Sequence, residues 1–334
     1  MRAVVCYELS GIDGLRLDDL PDPGAPGPAQ LRLRIAAAGL NFADLLVTTR
    51  KYQVKLDPPF VPGLEAAGVV EAVGPQVTGF RPGDRVIAIP EAGAFAESVI
   101  VPASHVYPAP HGLDAAEAAG FPIAYGTSYL ALVEQARLQA GETLLVRGAA
   151  GGVGLTAVEI GKAIGATVIA TAGGADKCAI ARAHGADHVI DYKAEDIRER
   201  VKALAGGVGQ GGVDVVYDPV GGSAFEASLR VVNWNARILV VGFAGGTVPQ
   251  IPANILLVKN VAAMGFYFGS WRQRRPDVVA RAFKALDGMV RAGQLKPPVS
   301  RRLPLADFHA ALDLIRNRQS TGKVVLMADA AIWP

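Results

Sequence analysis

The apolar residues between positions 143 and 241 form short runs separated by longer amphipathic stretches. The runs have the length and β-branched composition of buried strands: Thr143–Val146, Val168–Ala172, His188–Asp191, Val213–Tyr217 and Arg237–Val241. The stretches between them show helical periodicity: Leu155–Ile164, Asp176–His184, Ala194–Ala205 and Ala224–Val232. Strands that alternate with helices in this way predict an α/β domain with a doubly wound parallel sheet.

The chain before Ala115 instead carries short strand-like runs divided by turn clusters rich in glycine and proline. The runs are Ala3–Tyr7, Leu31–Ala36, Val69–Val73, Arg85–Ile89 and Ala94–Val101. This pattern predicts an all-β module with one short helix at Phe42–Thr48. From Ala115 to Ala136 the pattern is helical and leads into the α/β domain.

Further elements are predicted after the fifth strand: helices Pro252–Lys259, Asp277–Ala292 and Ala306–Asn317, and strands Val261–Phe266, Val299–Leu303 and Lys323–Met327. The basic run Arg272–Arg275 is predicted to be a solvated loop. The end of the chain is too short for its own domain, so we expect it to fold back onto the β module. The predicted domains are residues 1–122 with 269–334, and residues 123–268, with a substrate in the cleft between them.

A glycine-rich turn, Gly148-Ala-Ala-Gly-Gly-Val-Gly154, follows the first strand of the α/β domain. Strand, glycine turn and helix open a dinucleotide-binding βαβ unit, where a pyrophosphate sits on bare N–H groups at the helix N-terminus. Ala149 stands where the usual first glycine would be, and such a turn is also compatible with an ordinary tight connection. The alternating strands and helices favour the dinucleotide site.

The end of the second strand favours NADP over NAD. NAD sites usually carry an acidic residue there, which grips the ribose 2′-hydroxyl. Here Gly173 and Gly174 follow the strand, and Lys177 could attract a 2′-phosphate or be a solvated surface lysine. Asp176 is predicted to cap its helix rather than bind ribose.

Composition excludes several classes of protein. The 334 residues carry a net charge of +2, which gives no argument for a nucleic acid or a membrane as partner. Two cysteines, Cys6 and Cys178, imply no disulfide framework. The N-terminal apolar run is too short for a signal peptide and no run matches a membrane span, so a cytoplasmic protein is expected.

An ordered set of motifs resembles the zinc-independent, zeta-crystallin-like NADPH:quinone oxidoreductases of the medium-chain dehydrogenase/reductase superfamily. The motifs are Gly39–Asp44, Tyr52, Val61–Gly68, Arg81–Val86, Tyr125–Tyr129, Gly148–Gly154, Val216–Gly222, Val241–Phe243 and Gly322–Val325. The resemblance runs along essentially the whole chain. It implies a GroES-like β domain plus a Rossmann domain, NADPH as the cofactor and often a homodimer, for which Val261–Phe266 is an apolar edge strand.

The zinc branch of the superfamily has Gly-His-Glu where this chain has Gly63-Leu64-Glu65. Leucine cannot bind zinc, and neither cysteine lies near this segment. We therefore predict no zinc. Glu65, within an apolar run, is predicted to pair with a basic group, and Asp84 and Asp218 are predicted to fix loops.

By resemblance, the catalytic residues at the nicotinamide end are Asn41, Asp44, Tyr52 and Thr127. Asn41 and Thr127 could donate hydrogen bonds to the carboxamide or the acceptor, and Tyr52 to an acceptor oxygen. Asn41 and Asp44 could equally cap the helix at Phe42, and Tyr52 could be an aromatic residue with its hydroxyl in water. Relatives often have tyrosine at the position of Leu46, so a scheme with two tyrosines does not transfer.

The resemblance also assigns cofactor contacts, with Lys177 and Tyr192 at the 2′-phosphate. The full set is Asn41, Thr127, Ala150, Gly151, Gly152, Val153, Gly173, Lys177, Tyr192, Val220, Gly242, Phe243, Phe266, Phe268 and Arg318. The aromatic residues from Phe266 to Trp271 could form an apolar wall for a flat acceptor or simply pack in the core.

The leading hypothesis is NADPH-dependent hydride transfer to a quinone without a metal. Reduction of the double bond of an enone, alkenal or enoyl thioester is a close alternative, and Arg50, Lys51 and Lys55 are either a basic rim for a thioester or a solvated loop. A hypothesis of another class is a non-catalytic NADPH-binding protein with a structural or nucleic-acid-contacting role. Near-neutral charge argues against nucleic-acid contact.

Overall fold

The computed structural model describes residues 1–205 and 211–333. The chain divides into two compact units: the first comprises Met1–Ile123 and the segment from Pro297 onward, and the second comprises Ala124–Lys296. The predicted ranges need correction, because Ile123 belongs to the first unit and residues 269–296 to the second. Phe283 lies in residues 269–296, and its ring packs beside Gly126, which also belongs to the second unit. Pro334, which ends the predicted range, lies outside the described residues.

The N-terminal part of the first unit is mainly β-structure, as predicted. Its strands are β1 Arg2–Cys6, β2 Leu15–Asp19, β3 Gln30–Gly39, β4 Ala66–Val73, β5 Arg85–Ala88, β6 Ser98–Pro102 and β7 Val106–Pro108. Its helices are α1 Phe42–Val47 and α2 Ala115–Ala119. Strands β2 and β7 were not predicted, because β2 has only one fully buried position and β7 has three residues.

The second unit contains the alternating elements. Its strands are β8 Thr143–Val146, β9 Thr167–Ala172, β10 His188–Asp191, β11 Val213–Asp218, β12 Val232–Val240 and β13 Ala262–Gly265. Its α-helices are α3 Pro122–Tyr129, whose first two residues belong to the first unit, α4 Gly152–Ile164, α5 Ala175–Ala183, α6 Ile197–Ala205, α7 Gly222–Leu229, α8 Ala253–Lys259, α9 Phe268–Arg274 and α10 Pro276–Arg291. A π-helical segment, Leu130–Gln135, follows α3.

The strand order in this unit is β10-β9-β8-β11-β12-β13, and every neighbouring pair is parallel. The order reverses beside β8, where a doubly wound sheet binds its ligand at the carboxyl ends of the strands. Leu145, Ile169, Val216 and Ile238 from four adjacent strands are buried in one core cluster. The prediction of a doubly wound parallel sheet is therefore confirmed.

The end of the chain completes the sheet of the first unit. Strand β14 Val299–Pro304 and helix α11 Phe308–Arg316 precede β15 Lys323–Met327. Strand β15 pairs antiparallel with β3, so the sheet runs β14-β15-β3-β4-β5-β7, with β6 also pairing with β3. This confirms that the tail folds back onto the β module.

One local prediction is wrong. The segment Arg272–Arg275, predicted as a solvated loop, lies largely in helix α9, which ends at Arg274. The helical pattern from Ala115 to Ala136 divides into α2, α3 and the π-helical segment, with Gly120 ending the first piece. Within the described part of the chain, no helix is both long enough and apolar enough to span a bilayer.

Candidate active site

The glycine turn lies between β8 and α4. Helix α4 begins at Gly152 with Gly151 as its N-cap, so the first N–H groups have no acceptor within the helix. A side chain on Gly154 would collide with the carbonyl oxygen of Gly148, which itself has a φ of +56°. The predicted pyrophosphate contacts all lie at this helix N-terminus: Ala150, Gly151, Gly152 and Val153. The bare N–H groups and the helix dipole fit a pyrophosphate there.

Gly173 and Tyr192 come together at the same edge of the sheet. They follow the adjacent parallel strands β9 and β10, whose carboxyl ends meet. The Tyr192 hydroxyl oxygen lies 2.5 Å from the point that a Cβ on Gly173 would occupy. Gly173 therefore has to lack a side chain for the phenol to lie over it. Half of Tyr192 is exposed, so its hydroxyl is available to a ligand.

The carboxylate of Asp191 ties the ends of these two strands together. It accepts hydrogen bonds from the N–H groups of Gly174, at 2.9 Å, and of Lys193, at 3.0 Å. These bonds, that from Gly174 first, lower the pKa of Asp191. The strand pattern did not assign this role to Asp191, although a carboxylate at a strand end was visible.

Lys177 lies in the first turn of α5, close in sequence to Gly173, and is half-buried. The prediction that Asp176 caps this helix is wrong. Helix α5 starts at Ala175 with Gly174 as its N-cap, and Asp176 occupies the second helical position. The left-handed φ of +96° at Gly174 lets the chain turn there without a polar cap.

Arg147 and Asp218 are buried charged residues at the ends of β8 and β11. Arg147 is 5% exposed, and its Nε and Nη1 have no hydrogen-bond partner among the described residues. Burial lowers its pKa, and the charge of Asp218 opposes that shift. Asp218 Oδ1 accepts the N–H groups of Val220 and Gly221, which confirms its predicted role in fixing that loop. Sequence reasoning missed Arg147, although it follows three apolar residues directly before the glycine turn.

Two further residues predicted to contact the cofactor, Val220 and Phe243, pack against glycines at this edge of the sheet. Val220 Cγ2 lies 3.1 Å from the ideal Cβ position of Gly148, so Val220 covers the turn. The ring of Phe243 lies 2.9 Å from the ideal Cβ position of Gly221 and remains partly exposed. Gly242 follows β12 and brings Phe243 to this edge of the sheet.

Thr127 in α3 is buried, and so are Phe266 and Phe268. Phe268 packs against Gly126, with a ring atom 2.9 Å from the ideal Cβ position of that glycine. Phe266 stacks on Trp271 with ring centroids 6.0 Å apart. These contacts support the core-packing interpretation of the two phenylalanines.

Asn41 in the first unit is held by two oppositely charged side chains. Its Nδ2 donates to Glu65 Oε1 at 2.9 Å, and its Oδ1 accepts from Lys323 Nζ at 2.9 Å. Lysine can only donate, so these contacts fix which way the amide points. One N–H of the amide remains for a ligand.

Glu65 and Lys323 form the buried ion pair that holds Asn41. Lys323 Nζ lies 2.5 Å from Glu65 Oε1, and both side chains are almost completely buried. Lys323 also donates to the carbonyl of Leu40, and Glu65 Oε2 accepts the N–H of Ile123. The predicted basic partner of Glu65 is confirmed; its identity as Lys323 was not predicted.

Asp44 is buried at the first turn of α1. Its Oδ2 accepts the N–H of Asn41 at 2.7 Å, as expected for a residue that caps the helix, and its Oδ1 has no partner among the described residues. Burial raises the pKa of Asp44 to about 7, although Lys323 opposes the shift. We therefore expect the carboxyl group to change between its protonated and ionised forms near neutral pH.

The raised pKa of Asp44 predicts that Asp44→Asn increases the free energy of unfolding by an amount that depends on pH. The protonated carboxyl is compatible with burial, so its stabilising contribution is present below the unfolded value of 3.8 and is lost as pH rises through the folded value of about 7. The free energy of unfolding of the variant, relative to the parent, should rise by a few kcal/mol over that interval, at about 1.4 kcal/mol per pKa unit. Urea unfolding at several pH values measures it, with the exposed Asp13→Asn as control. A difference that stays constant with pH would contradict the prediction.

The other candidates of the first unit are on its surface or half-buried. Tyr52 is half-buried, and its N–H bonds to the carbonyl of Leu46. Arg318 is exposed after α11, with a left-handed φ of +56°. The structure thus groups Asn41, Asp44, Tyr52 and Arg318 in one unit, and the remaining candidates in the other. Across residues 1–205 and 211–333, no three His, Cys, Asp or Glu side chains are placed to hold a metal ion.

Comparisons with known proteins match both units. Residues 27–111 match the family described as "Alcohol dehydrogenase GroES-like domain", and residues 152–284 match "Zinc-binding dehydrogenase". "Quinone oxidoreductase-like protein 2" of Bos taurus is 38% identical over 97% of this chain and 92% of its own length.

Solved structures agree along the whole chain. Escherichia coli quinone oxidoreductase in complex with NADPH aligns with a TM-score of 0.90 at 28% identity, over 98% of this chain and 100% of that one. A 2-haloacrylate reductase aligns with a TM-score of 0.86 at 32% identity, over 98% and 99% of the two chains. The chain belongs to the quinone oxidoreductase family of the medium-chain dehydrogenases/reductases.

Proposed function

We propose that this oxidoreductase transfers a hydride from NADPH to a quinone without a metal ion. The observation that carries the cofactor is the edge formed by the glycine turn, Gly173 and Tyr192, which offers N–H groups and a phenol but no ribose-binding carboxylate at the end of β9. The names of the bovine relative and the E. coli structure support the quinone.

The bound dinucleotide would supply the hydride. Ala150 to Val153 would hold its pyrophosphate, and Lys177 and Tyr192 would hold the 2′-phosphate. The free amide N–H of Asn41 and the hydroxyl of Thr127 would orient the nicotinamide carboxamide or stabilise negative charge on the acceptor oxygen. Asn41 suits this task because Glu65 and Lys323 hold its amide in one orientation before any ligand binds.

The proposal that the reaction needs no zinc rests on Leu64. It is buried at the position where the zinc branch has histidine, and its side chain offers no lone pair to a metal. Asp44 and Tyr52 remain the proposed groups near the acceptor, with Tyr52 as a donor to its oxygen.

A second candidate reaction is the reduction of a conjugated carbon–carbon double bond. The likeness to a 2-haloacrylate reductase favours it, because that acceptor also carries an oxygen that gains charge on hydride addition. NADPH and NADH oxidation should be compared on 1,4-benzoquinone, 9,10-phenanthrenequinone, an alkenal and crotonyl-CoA. We expect quinone turnover with NADPH preferred. Turnover only on the alkenal or the thioester would replace the quinone hypothesis, and binding without turnover would favour the non-catalytic hypothesis.

We also propose a homodimer that uses the β13 edge of the second unit. Among the described residues, strand β13 pairs only with β12, and helix α8, which directly precedes β13 in the chain, exposes Leu257 and Val258 at 78% each. Exposed apolar side chains beside a free strand edge suit a two-fold contact with a second copy.

Leu257→Glu should therefore convert the dimer to a monomer, because it places a charge in the apolar contact. Light scattering after gel filtration measures the mass of the parent, of this variant and of a Lys202→Glu control on α6. A parent protein that is already monomeric at working concentration would overturn the proposal.

A further inference from the structure

Arg147 is a buried guanidinium that neither the fold nor the proposed mechanism explains. Its Nε and Nη1 are buried and have no hydrogen-bond partner in the part of the chain that the structure describes. Buried donors of a charged group that have no acceptor destabilise the folded state. Buried polar groups in native proteins almost always have a partner, which can be a ligand or an ordered water.

The side chain lies at the ligand-binding edge of the second unit. Arg147 directly follows β8, and its N–H bonds to the carbonyl of Tyr217 in the neighbouring strand. Its charge interacts with two groups, the Asp218 carboxylate and the Tyr192 phenol. Tyr192 directly follows β10, which lies two strands away from β8, so the guanidinium is close to the end of the sheet where Gly173 lies.

Asp218 does not satisfy the guanidinium. Asp218 Oδ1 accepts two backbone N–H groups, while its Oδ2 has no hydrogen-bond partner among the described residues. Among the described residues, donors on Arg147 and an acceptor on Asp218 thus have no hydrogen-bond partner, although the two charges interact electrostatically. Within residues 1–205 and 211–333, the Nε and Nη1 donors of Arg147 thus have no acceptor, and a ligand could supply one.

The place of Arg147 in the sheet indicates the chemistry of the group that it would bind. In a dinucleotide-binding sheet the adenosine ribose lies at the end of the second strand, here at Gly173. Tyr192 covers that glycine, and Lys177 lies in the first turn of the helix that follows. An anion attached to the ribose would meet a phenol, an ammonium group and, from the interior side, a guanidinium, which binds phosphate with paired N–H donors.

We propose that Arg147 donates hydrogen bonds to the 2′-phosphate of NADPH and is a main determinant of the preference for NADPH over NADH. This inference rests on the proposed cofactor. The guanidinium is preorganised, because its burial and its place at the strand end restrict it before the ligand arrives. Its desolvation is then compensated only by the cofactor that carries the phosphate.

Equilibrium binding of NADPH and NADH, followed by calorimetry without any acceptor, tests the proposal. Arg147→Gln should weaken NADPH binding by about 10- to 100-fold, the range for a hydrogen bond to a charged group, and should change NADH binding by less than about twofold. Arg147→Lys should keep most of the preference because it keeps the charge. Arg182→Gln, an exposed residue of α5, is the matched control and should behave like the parent.

Competition by nucleotide fragments locates the contact. Arg147→Gln should lose affinity for 2′-AMP and keep its affinity for 5′-AMP. Equal weakening of NADPH and NADH would overturn the proposal, since the contact would then be to a part common to both. Unchanged binding of both would also overturn it and leave a water shared with Asp218 as the partner.

Two readouts keep these outcomes separate from misfolding and from failure of the cofactor assignment. Thermal unfolding without ligand shows whether Arg147→Gln folds, and Arg147→Lys supplies a test that does not remove the charge. A parent protein that binds NADH more tightly than NADPH would contradict the proposed cofactor itself. A parent that prefers NADPH, with an Arg147→Gln variant that keeps this preference, would contradict only the role of Arg147.

Discussion

Glu65→Gln is expected to lower the free energy of unfolding by about 3–5 kcal/mol, the cost of leaving one member of a buried ion pair without its partner. The substitution removes the charge opposite Lys323 Nζ, which lies 2.5 Å away in a site that excludes solvent. It also replaces an acceptor of the Ile123 N–H and of the Asn41 amide. Urea unfolding at constant pH measures the change. Lys323→Met should cost a similar amount, because it leaves the carboxylate unpaired.

The double variant Glu65→Gln/Lys323→Met provides the internal control. Because neither charge remains, its loss should be clearly smaller than the sum of the two single losses, and the difference is the coupling energy of the pair. Arg316→Met breaks an exposed ion pair with Asp313 in the same unit and should cost less than about 1 kcal/mol. Additive losses, or single losses as small as that of Arg316→Met, would show that the buried pair does not stabilise the fold.

Asn41→Ala is expected to reduce kcat for NADPH-dependent reduction by about 100-fold or more, the usual effect of removing one preorganised donor to a developing negative charge. The ion pair of Glu65 and Lys323 stays in place, so the fold should lose only about 1 kcal/mol from the helix cap. NADPH dissociation constants measured beside kcat separate cofactor binding from transfer. We expect the larger change in kcat.

Asn317→Ala is the matched control, because it removes an exposed amide from the same unit. A kcat for Asn41→Ala within about threefold of the parent would mean that the Asn41 side chain only caps helix α1, as its position in the capping box also allows. Asn41→Ser keeps a capping oxygen and loses the amide N–H. It should therefore recover stability without recovering turnover.

Local sequence patterns were sufficient wherever an apolar run coincided with a buried strand. The bounds of Thr143–Val146, His188–Asp191 and Lys323–Met327 agree with the structure, because each run has a short apolar centre that is buried or partly buried in the sheet. Strand β12 begins at Val232, five residues before its predicted start at Arg237, because Asn233 and Asn235 interrupt the apolar pattern. Pairing of Val232 with Val213 of β11 extends that strand beyond what its own sequence indicates.

The site was less predictable because its partners are far apart in the chain. Lys323 and Asn41 are separated by 282 positions, and nothing near either residue indicates the other. The apolar surroundings of Glu65 predicted a basic partner but not which one. Arg147 shows the same limit, since a charge after an apolar strand signals burial only when the neighbouring strands are known.

The most direct test of metal-free, NADPH-dependent quinone reduction is a stoichiometric assay on chelator-treated protein whose metal content has been measured. NADPH and NADH oxidation would be followed alongside hydroquinone formation from 1,4-benzoquinone, because a hydride and a proton together convert one quinone to one hydroquinone. We expect one hydroquinone for each NADPH oxidised, slower oxidation of NADH, and full activity without bound zinc. Activity that disappears with the metal and returns with zinc would contradict the proposed function, as would a protein that binds NADPH but reduces no quinone.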